Sequence, residues 1–146
     1  PVPCGIPVDG RLITADAPTP PVEVMAMSTL VTGRYGEDLA AEYLRGLGWT
    51  IVDRNWRCGS GELDIVAYEP VERTHTTVFV EVKYRTGRGF GDPLEAITAT
   101  KRRHLRASCA QWLAEHGPTG VVRIDAIGIV GMRGSAPVLR HLRGLA

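Results

Sequence analysis

Long apolar runs, paired cysteines and an excess of charge of one sign are what this sequence lacks. No apolar stretch approaches the roughly 20 residues that a membrane-spanning helix needs, and no basic segment leads into an apolar one as in a secretion signal. No membrane partner is expected, and the expected location is cytoplasmic. The three cysteines, Cys4, Cys58 and Cys109, are odd in number and far apart, and none forms a C-x-x-C pair suited to zinc or redox work. Reduced thiols are the plain reading. With 17 Lys+Arg against 16 Asp+Glu the net charge is only +1, so a nucleic-acid surface has to come from local clustering. His75, His104, His116 and His141 show no ligand spacing, and surface or helix-end roles suffice for them. Aromatics are 6% of the chain, too few to line a sugar cleft, which weighs against a glycosidase using two of Glu62, Asp64 and Glu81.

What is present is an ordinary globular composition, 44% apolar and 23% charged, in a chain of 146 residues that suits one hydrophobic core. Residues 1–27 carry six prolines, from Pro1 to Pro21, with no helical or strand periodicity, and read as a disordered tail or extension. Met25 and Met27 stand just before the first periodic segment, so either is a candidate natural start. Residues 28–146 read as a single domain.

Within that domain, Tyr35, Leu39, Ala40, Tyr43, Leu44 and Leu47 recur at helical spacing. The spacing predicts a helix over 33–47 with Thr32 as its cap and Gly46 and Gly48 at its end. Strands are predicted over 50–55, 62–68 and 76–84, and short polar loops between them suggest antiparallel neighbours. Asp92, Pro93 and Glu95 resemble an N-cap, an N1 proline and an N3 glutamate, and Thr98 offers a second cap before a helix ending near His116 and Gly117. Leu105, Cys109, Trp112 and Leu113 form its buried stripe. Residues 121–130 are apolar and β-branched enough for a central strand, and 137–142 suit an edge strand that tolerates Pro137.

The chemistry centres on Asp64, in Gly61-Glu62-Leu63-Asp64, and on Glu81 and Lys83, in Val80-Glu81-Val82-Lys83. Residues two apart on a strand share a face, so Glu81 and Lys83 project together while Val80 and Val82 enter the core. If the two strands pair, Asp64 and Glu81 converge on one point and suit a hard divalent cation, Mg2+ or Mn2+. An isolated E-x-K on a strand is commonly a solvated ion pair of little energetic value. Here the strand is otherwise so apolar that two charges in its middle need a reason.

These residues, together with Gly36-Glu37, Asn55-Trp56-Arg57, Gly61 to Val66, Phe79 to Arg85 and Arg123-Ile124-Asp125, resemble the YraN family of bacterial proteins over roughly residues 30 to 143. That resemblance implies an α/β fold of the restriction-endonuclease-like, PD-(D/E)xK type. Its mixed β-sheet is flanked by helices in the order α-β-β-β-α-β-β, similar to that of Holliday-junction resolvases. It further implies Asp64 and Glu81 as metal ligands, the Val82 carbonyl as a further ligand, Lys83 as the catalytic lysine, and Glu37 as a helix glutamate completing the site through water. The proline that precedes the first acidic residue in the wider superfamily is replaced here by Leu63. The implied activity is Mg-dependent hydrolysis of phosphodiester bonds in DNA, in branched or damaged structures. The alternative is a nucleic-acid-binding module that keeps the fold without turnover. Resolvase-like relatives act as symmetric dimers, so a homodimer is a further expectation by analogy.

Lys101, Arg102 and Arg103, with Arg106, crowd the first turns of the second long helix, where the macrodipole disfavours cations. A phosphate backbone would explain them, and a solvated charged face explains them nearly as well. Arg57, Arg85 and Arg88, with Arg54, extend the candidate nucleic-acid track. Glu62 ranks below Glu37 as a third acid, and Asp125 reads as the structural partner of Arg123. Gly87 to Gly91 lacks a nucleotide-loop spacing and reads as a flexible loop near the site. Trp49, Trp56 and Trp112 read as core or rim residues before base-stacking ones.

Overall fold

A sheet with two apolar faces needs a helix on each, and this chain supplies both. The computed structural model describes residues 11–13, 29–87, 89, 91–117 and 120–145. Strands β1 (Arg11–Ile13), β2 (Thr50–Cys58), β3 (Gly61–Val71), β4 (Thr74–Thr86), β5 (Val121–Met132) and β6 (Ser135–Leu142) form one sheet in the order β1-β6-β5-β4-β3-β2. Neighbours are antiparallel except β4 and β5, which are parallel. Helix α2 (Ala99–His116) bridges that parallel pair, as a crossover connection must. With helix α1 (Thr29–Gly46), the elements after β1 follow the expected α-β-β-β-α-β-β order.

Alternation along β4 divides the core. Val78, Val80 and Val82 pack with Ala40, Ala41, Tyr43 and Leu44 of α1, whereas Phe79 packs with Leu105, Cys109 and Trp112 of α2. The helices therefore lie on opposite faces. Helix α1 ends in a Schellman motif, with Trp49 N–H donating to Leu44 O, Gly48 N–H donating to Arg45 O, and Gly48 at φ +84°. Helix α2 begins at the expected cap, the Thr98 hydroxyl accepting from Lys101 N–H at 3.2 Å. Before it, Asp92 caps a single 3-10 turn, Pro93–Ala96. Among the described residues, no helix is long and apolar enough to cross a membrane.

Three expectations change. Helix α1 starts at Thr29, which places Thr32 inside it; nothing in the sequence before Thr32 breaks the helix, and extending a formed helix by a turn is cheap. Arg11–Ile13, inside the stretch read as a tail, pairs with β6, and three residues are too few to reveal alternation. The rest of that stretch lies outside the described residues. Consequently β6 is not an edge strand. Pro137 is tolerated for another reason: the β5–β6 register shifts between Val130 and Met132, and among the described residues β1 pairs with Val138 to Arg140, so the proline falls outside both ladders.

Candidate metal and phosphate site

The site lies where the sheet forks. The β3–β4 ladder runs from Val71↔Thr74 to Ile65↔Val80 and stops. Beyond that point Leu63, Glu62 and Gly61 stay paired with β2, while Glu81 to Thr86 stay paired with β5. Asp64 stands at the fork, and its Oδ2 accepts the Val82 N–H at 2.8 Å. A side chain thus satisfies the amide that the lost ladder would leave open.

Local backbone geometry produces the fork. Asp53 and Trp56 both reach the α2 side, Asp53 by accepting from Trp112 Nε1 at 3.1 Å and Trp56 by packing in the Phe79/Trp112 cluster. Residues three apart cannot share a face on a regular strand. Between them Asn55 adopts φ +52°, a left-handed conformation that asparagine tolerates better than most residues. Its place in the ladder is opposite Asp64, between the pairs Arg54↔Ile65 and Trp56↔Leu63. Strand β3 switches faces at the same level, since Leu63 and Val66 both join the α2-side cluster.

Glu81 projects toward α2 and is 1% exposed. Its Oε1 is 2.9 Å from Lys83 Nζ and 3.2 Å from Lys101 Nζ, and its Oε2 is buried without a hydrogen-bond partner. Glu37 comes from α1, and its Oε2 is likewise buried without a hydrogen-bond partner, 3.9 Å from Arg54 Nη2. Helix α1 can bring it close because residue 36 is glycine: a Cβ there would lie 2.6 Å from Tyr84 Cβ. Burial, and then the charge of Glu81, push the Asp64 carboxyl up to about 7; the Val82 N–H opposes this, Glu37 adds to it and Lys83 opposes it. Asp64 therefore interacts electrostatically with both glutamates, one from each face of the sheet.

Among the described residues, no group of three or more His, Cys, Asp or Glu is arranged to hold a metal ion by itself. The donor set instead suits magnesium as proteins usually hold it, through one or two carboxylates with the remaining positions left to water and phosphate. Two buried carboxylate oxygens, Glu37 Oε2 and Glu81 Oε2, remain without a partner and are able to accept a further donor or cation.

The expected site residues fare differently. Asp64, Glu81, Val82 and Lys83 come together, and Glu37 approaches from the other face. Lys101, expected on a phosphate track, turns inward to Glu81, which sequence spacing alone did not show. Arg102 and Arg103 stay exposed on α2, and Arg85 is half-buried on the strand face that carries Lys83. Arg57 is exposed and pairs with Glu62 at 3.4 Å, its ladder partner, which removes Glu62 from the acidic site. Arg54 is taken up by Asp38 at 2.7 Å rather than extending a track. Arg88 lies outside the described residues.

A second polar cluster is built around Asp125, which is 0% exposed. It accepts from Arg123 Nε at 2.7 Å and Nη2 at 3.0 Å and from Gly144 N–H at 3.0 Å, and lies 2.9 Å from His141 Nε2. The structural Arg123 pairing was expected; a buried His141 was not. Arg123 and Arg143 both engage Glu69, and both guanidiniums lie against the Trp49 ring. Every oxygen of Asp125 is satisfied, so this cluster fastens the C-terminal segment to the sheet.

Residues 36–129 match the family described as "Uncharacterised protein family UPF0102". A UPF0102 protein of Nocardia farcinica is 47% identical over 114 residues, covering 77% of this chain and 87% of that protein. One from Acidothermus cellulolyticus is 45% identical over 123 residues, covering 77% and 90%. One from Mycobacterium tuberculosis is 46% identical over 123 residues, covering 82% and 94%. A solved structure of SfsA from Pyrococcus furiosus in complex with Ca2+ aligns over 82% of this chain and 65% of its own, at 16% identity and a TM-score of 0.32, too slight a likeness to carry an argument. The family match and the extent of these relatives establish that the chain belongs to the UPF0102 family, the YraN family that its motifs resemble.

Proposed function

We propose that this protein is a metal-dependent nuclease that hydrolyses phosphodiester bonds in DNA, with Asp64 and Glu81 as the metal-holding carboxylates. The observation that carries this reading is Glu81: a carboxylate 1% exposed, with one oxygen clamped by Lys83 and the other without a partner, beside an Asp64 fixed by the Val82 amide. Burying a charge at such cost needs a compensating function or partner. Asp64 and Glu81, with the Val82 carbonyl, would hold Mg2+ or Mn2+, and Glu37 would reach it through water. The cation would supply Lewis-acid polarisation of a phosphate oxygen.

The rest falls to the chain's own residues. Lys83, anchored in the β4–β5 ladder opposite Gly128, holds its ammonium beside Glu81, where it orients a water and stabilises charge developing on the phosphate. The Val82 amide keeps the Asp64 carboxylate from rotating away. Arg57, Arg85, Arg102 and Arg103, with Arg88, supply cations for the flanking phosphate backbone.

A binding module without turnover is the second reading. It is favoured by the ion pairs that Glu81 already makes with Lys83 and Lys101 and by the absence, among the described residues, of a ready-made metal cage. Titration calorimetry with manganese on the parent, Asp64→Ala and Glu81→Ala, followed by a cleavage panel of single-stranded, duplex, flap and four-way DNA, separates the two. The nuclease reading expects metal uptake in the parent only, and cleavage of at least one substrate. A parent that binds DNA and takes up no metal supports the module instead.

A further inference from the structure

The nuclease reading leaves Lys101 unexplained. It occupies the third position of α2 after the Thr98 cap, where the positive end of the helix dipole opposes a cation. Its neighbours Arg102 and Arg103 are exposed, yet Lys101 is half-buried, with its ammonium 3.2 Å from the same Glu81 oxygen that Lys83 approaches at 2.9 Å. Two ammonium groups thus share one carboxylate oxygen while the other oxygen is without a partner. Both lysines crowd the one oxygen and neither serves the open oxygens of Glu81 and Glu37, so the placement of the second needs a separate reason.

We infer that Lys101 is a mobile positioning residue of the site: it holds Glu81 when no divalent cation is present and passes to a substrate phosphate when one is. The inference rests on the nuclease reading. Once a cation joins Glu81, three positive groups crowd one carboxylate and the most easily displaced must leave. Lys83 extends from a strand paired residue by residue with β5, in the body of the sheet. Lys101 extends from the first turn of a helix, on a four-carbon stem with its side chain about a third exposed. It therefore moves and Lys83 stays. The N-terminal end of α2, from which this side chain extends, carries the positive end of the helix dipole and attracts the same anion, so ammonium and helix dipole favour one phosphate together. The bound phosphate would be one next to the scissile bond, since Lys101 and Lys83 start from a common oxygen.

Lys101→Met and Lys101→Arg test this. In the metal-free state Lys101→Met should lower the melting temperature modestly, Glu81 having lost one of two cations, and in calorimetry it should bind manganese several-fold more tightly than the parent. DNA binding is read with Lys83 in place, on a cleavage-resistant phosphorothioate oligonucleotide, so that Glu81 keeps both lysines. There, Lys101→Met should cancel most of the gain in oligonucleotide affinity that manganese produces, leave affinity in chelator unchanged, and lower the salt slope in manganese by about 0.7 to 0.9. Lys101→Arg should restore the gain. Equal manganese affinity in parent and Lys101→Met, or equal loss of DNA affinity with and without manganese, overturns the inference. Metal binding that depends on Asp64 but not on Lys101 sinks only this inference, whereas a parent that takes up no manganese sinks the nuclease reading with it.

Discussion

The Val82 amide donates to Asp64 Oδ2 at 2.8 Å where a strand ladder would have offered a backbone carbonyl. That substitution fixes a carboxylate at the fork and also encloses it. Burial and the charge of Glu81 then raise the Asp64 carboxyl from 3.8 to about 7, so the folded protein binds a proton there that the unfolded chain releases near pH 4. The stability this lends is present below about pH 4 and is lost as pH rises toward 7. Asp64→Asn keeps an oxygen for the Val82 amide and never ionises. The variant should match the parent near pH 4 and become progressively more stable than it up to pH 7, with a constant gap above. Denaturant titrations at several pH values measure this; a gap that does not change with pH rules it out. By the same linkage, metal uptake should strengthen in the parent as pH rises through 7, because the cation competes with that proton.

The Asp125 cluster should behave with the opposite sign. Burial pushes its carboxyl up, but hydrogen bonds from His141, Arg123 and the Gly144 amide outweigh burial and bring it down to about 2. Its contribution is therefore present above pH 4 and lost as pH falls toward 2. Asp125→Asn at neutral pH should cost about 1–3 kcal/mol, since Arg123 and His141 lose a buried charged partner while Arg123 keeps Glu69. The difference from the parent should shrink below pH 4. Unfolding curves at pH 7 and pH 3 read both outcomes, and an equal loss at each pH would contradict the assignment.

Much of this was readable in the sequence where a local rule acts alone. Strict alternation along β4 places Glu81 and Lys83 together, and the Thr98 cap, the Gly48 stop and the pairing of Asp125 with Arg123 are each set by neighbours a few residues away. The fork was not readable. Asn55 looked like the end of a strand, and in fact the strand continues through it by taking a left-handed turn of the backbone. Likewise, a lysine on a helix start gives no sign of whether it faces solvent or a carboxylate on a distant strand. His141 is separated from Asp125 by a hairpin whose register shift no spacing rule announces.

Two glycines of α1 should respond oppositely to alanine. At Gly33 an added Cβ meets nothing within 4 Å, so Gly33→Ala should stabilise by roughly 0.5–1 kcal/mol through helix propensity alone. At Gly36 it meets Tyr84 Cβ at 2.6 Å, an atom fixed to the β4 backbone. Gly36→Ala should cost about 1–3 kcal/mol net and, by lifting α1 from the sheet, withdraw Glu37 from Asp64. The site reading adds weaker manganese binding in Gly36→Ala only. Two variants of equal stability would show that the close approach of α1 is not needed.

The last prediction concerns Asn55, the residue that turns β2 over opposite Asp64. A β-branched side chain resists positive φ, so Asn55→Val should cost about 1–2 kcal/mol or force the backbone back to extended geometry. In the second case Trp56 would leave the cluster with Phe79 and Trp112, and the level at which Asp64 meets Val82 would shift. Asn55→Gly keeps the turn at little cost, because glycine takes positive φ freely. Manganese affinity should therefore survive in Asn55→Gly and fall in Asn55→Val, although neither variant removes a carboxylate. If Asn55→Val binds manganese as the parent does, the turn at Asn55 is not what positions Asp64, and the placement of that carboxylate rests on its bond to the Val82 amide alone.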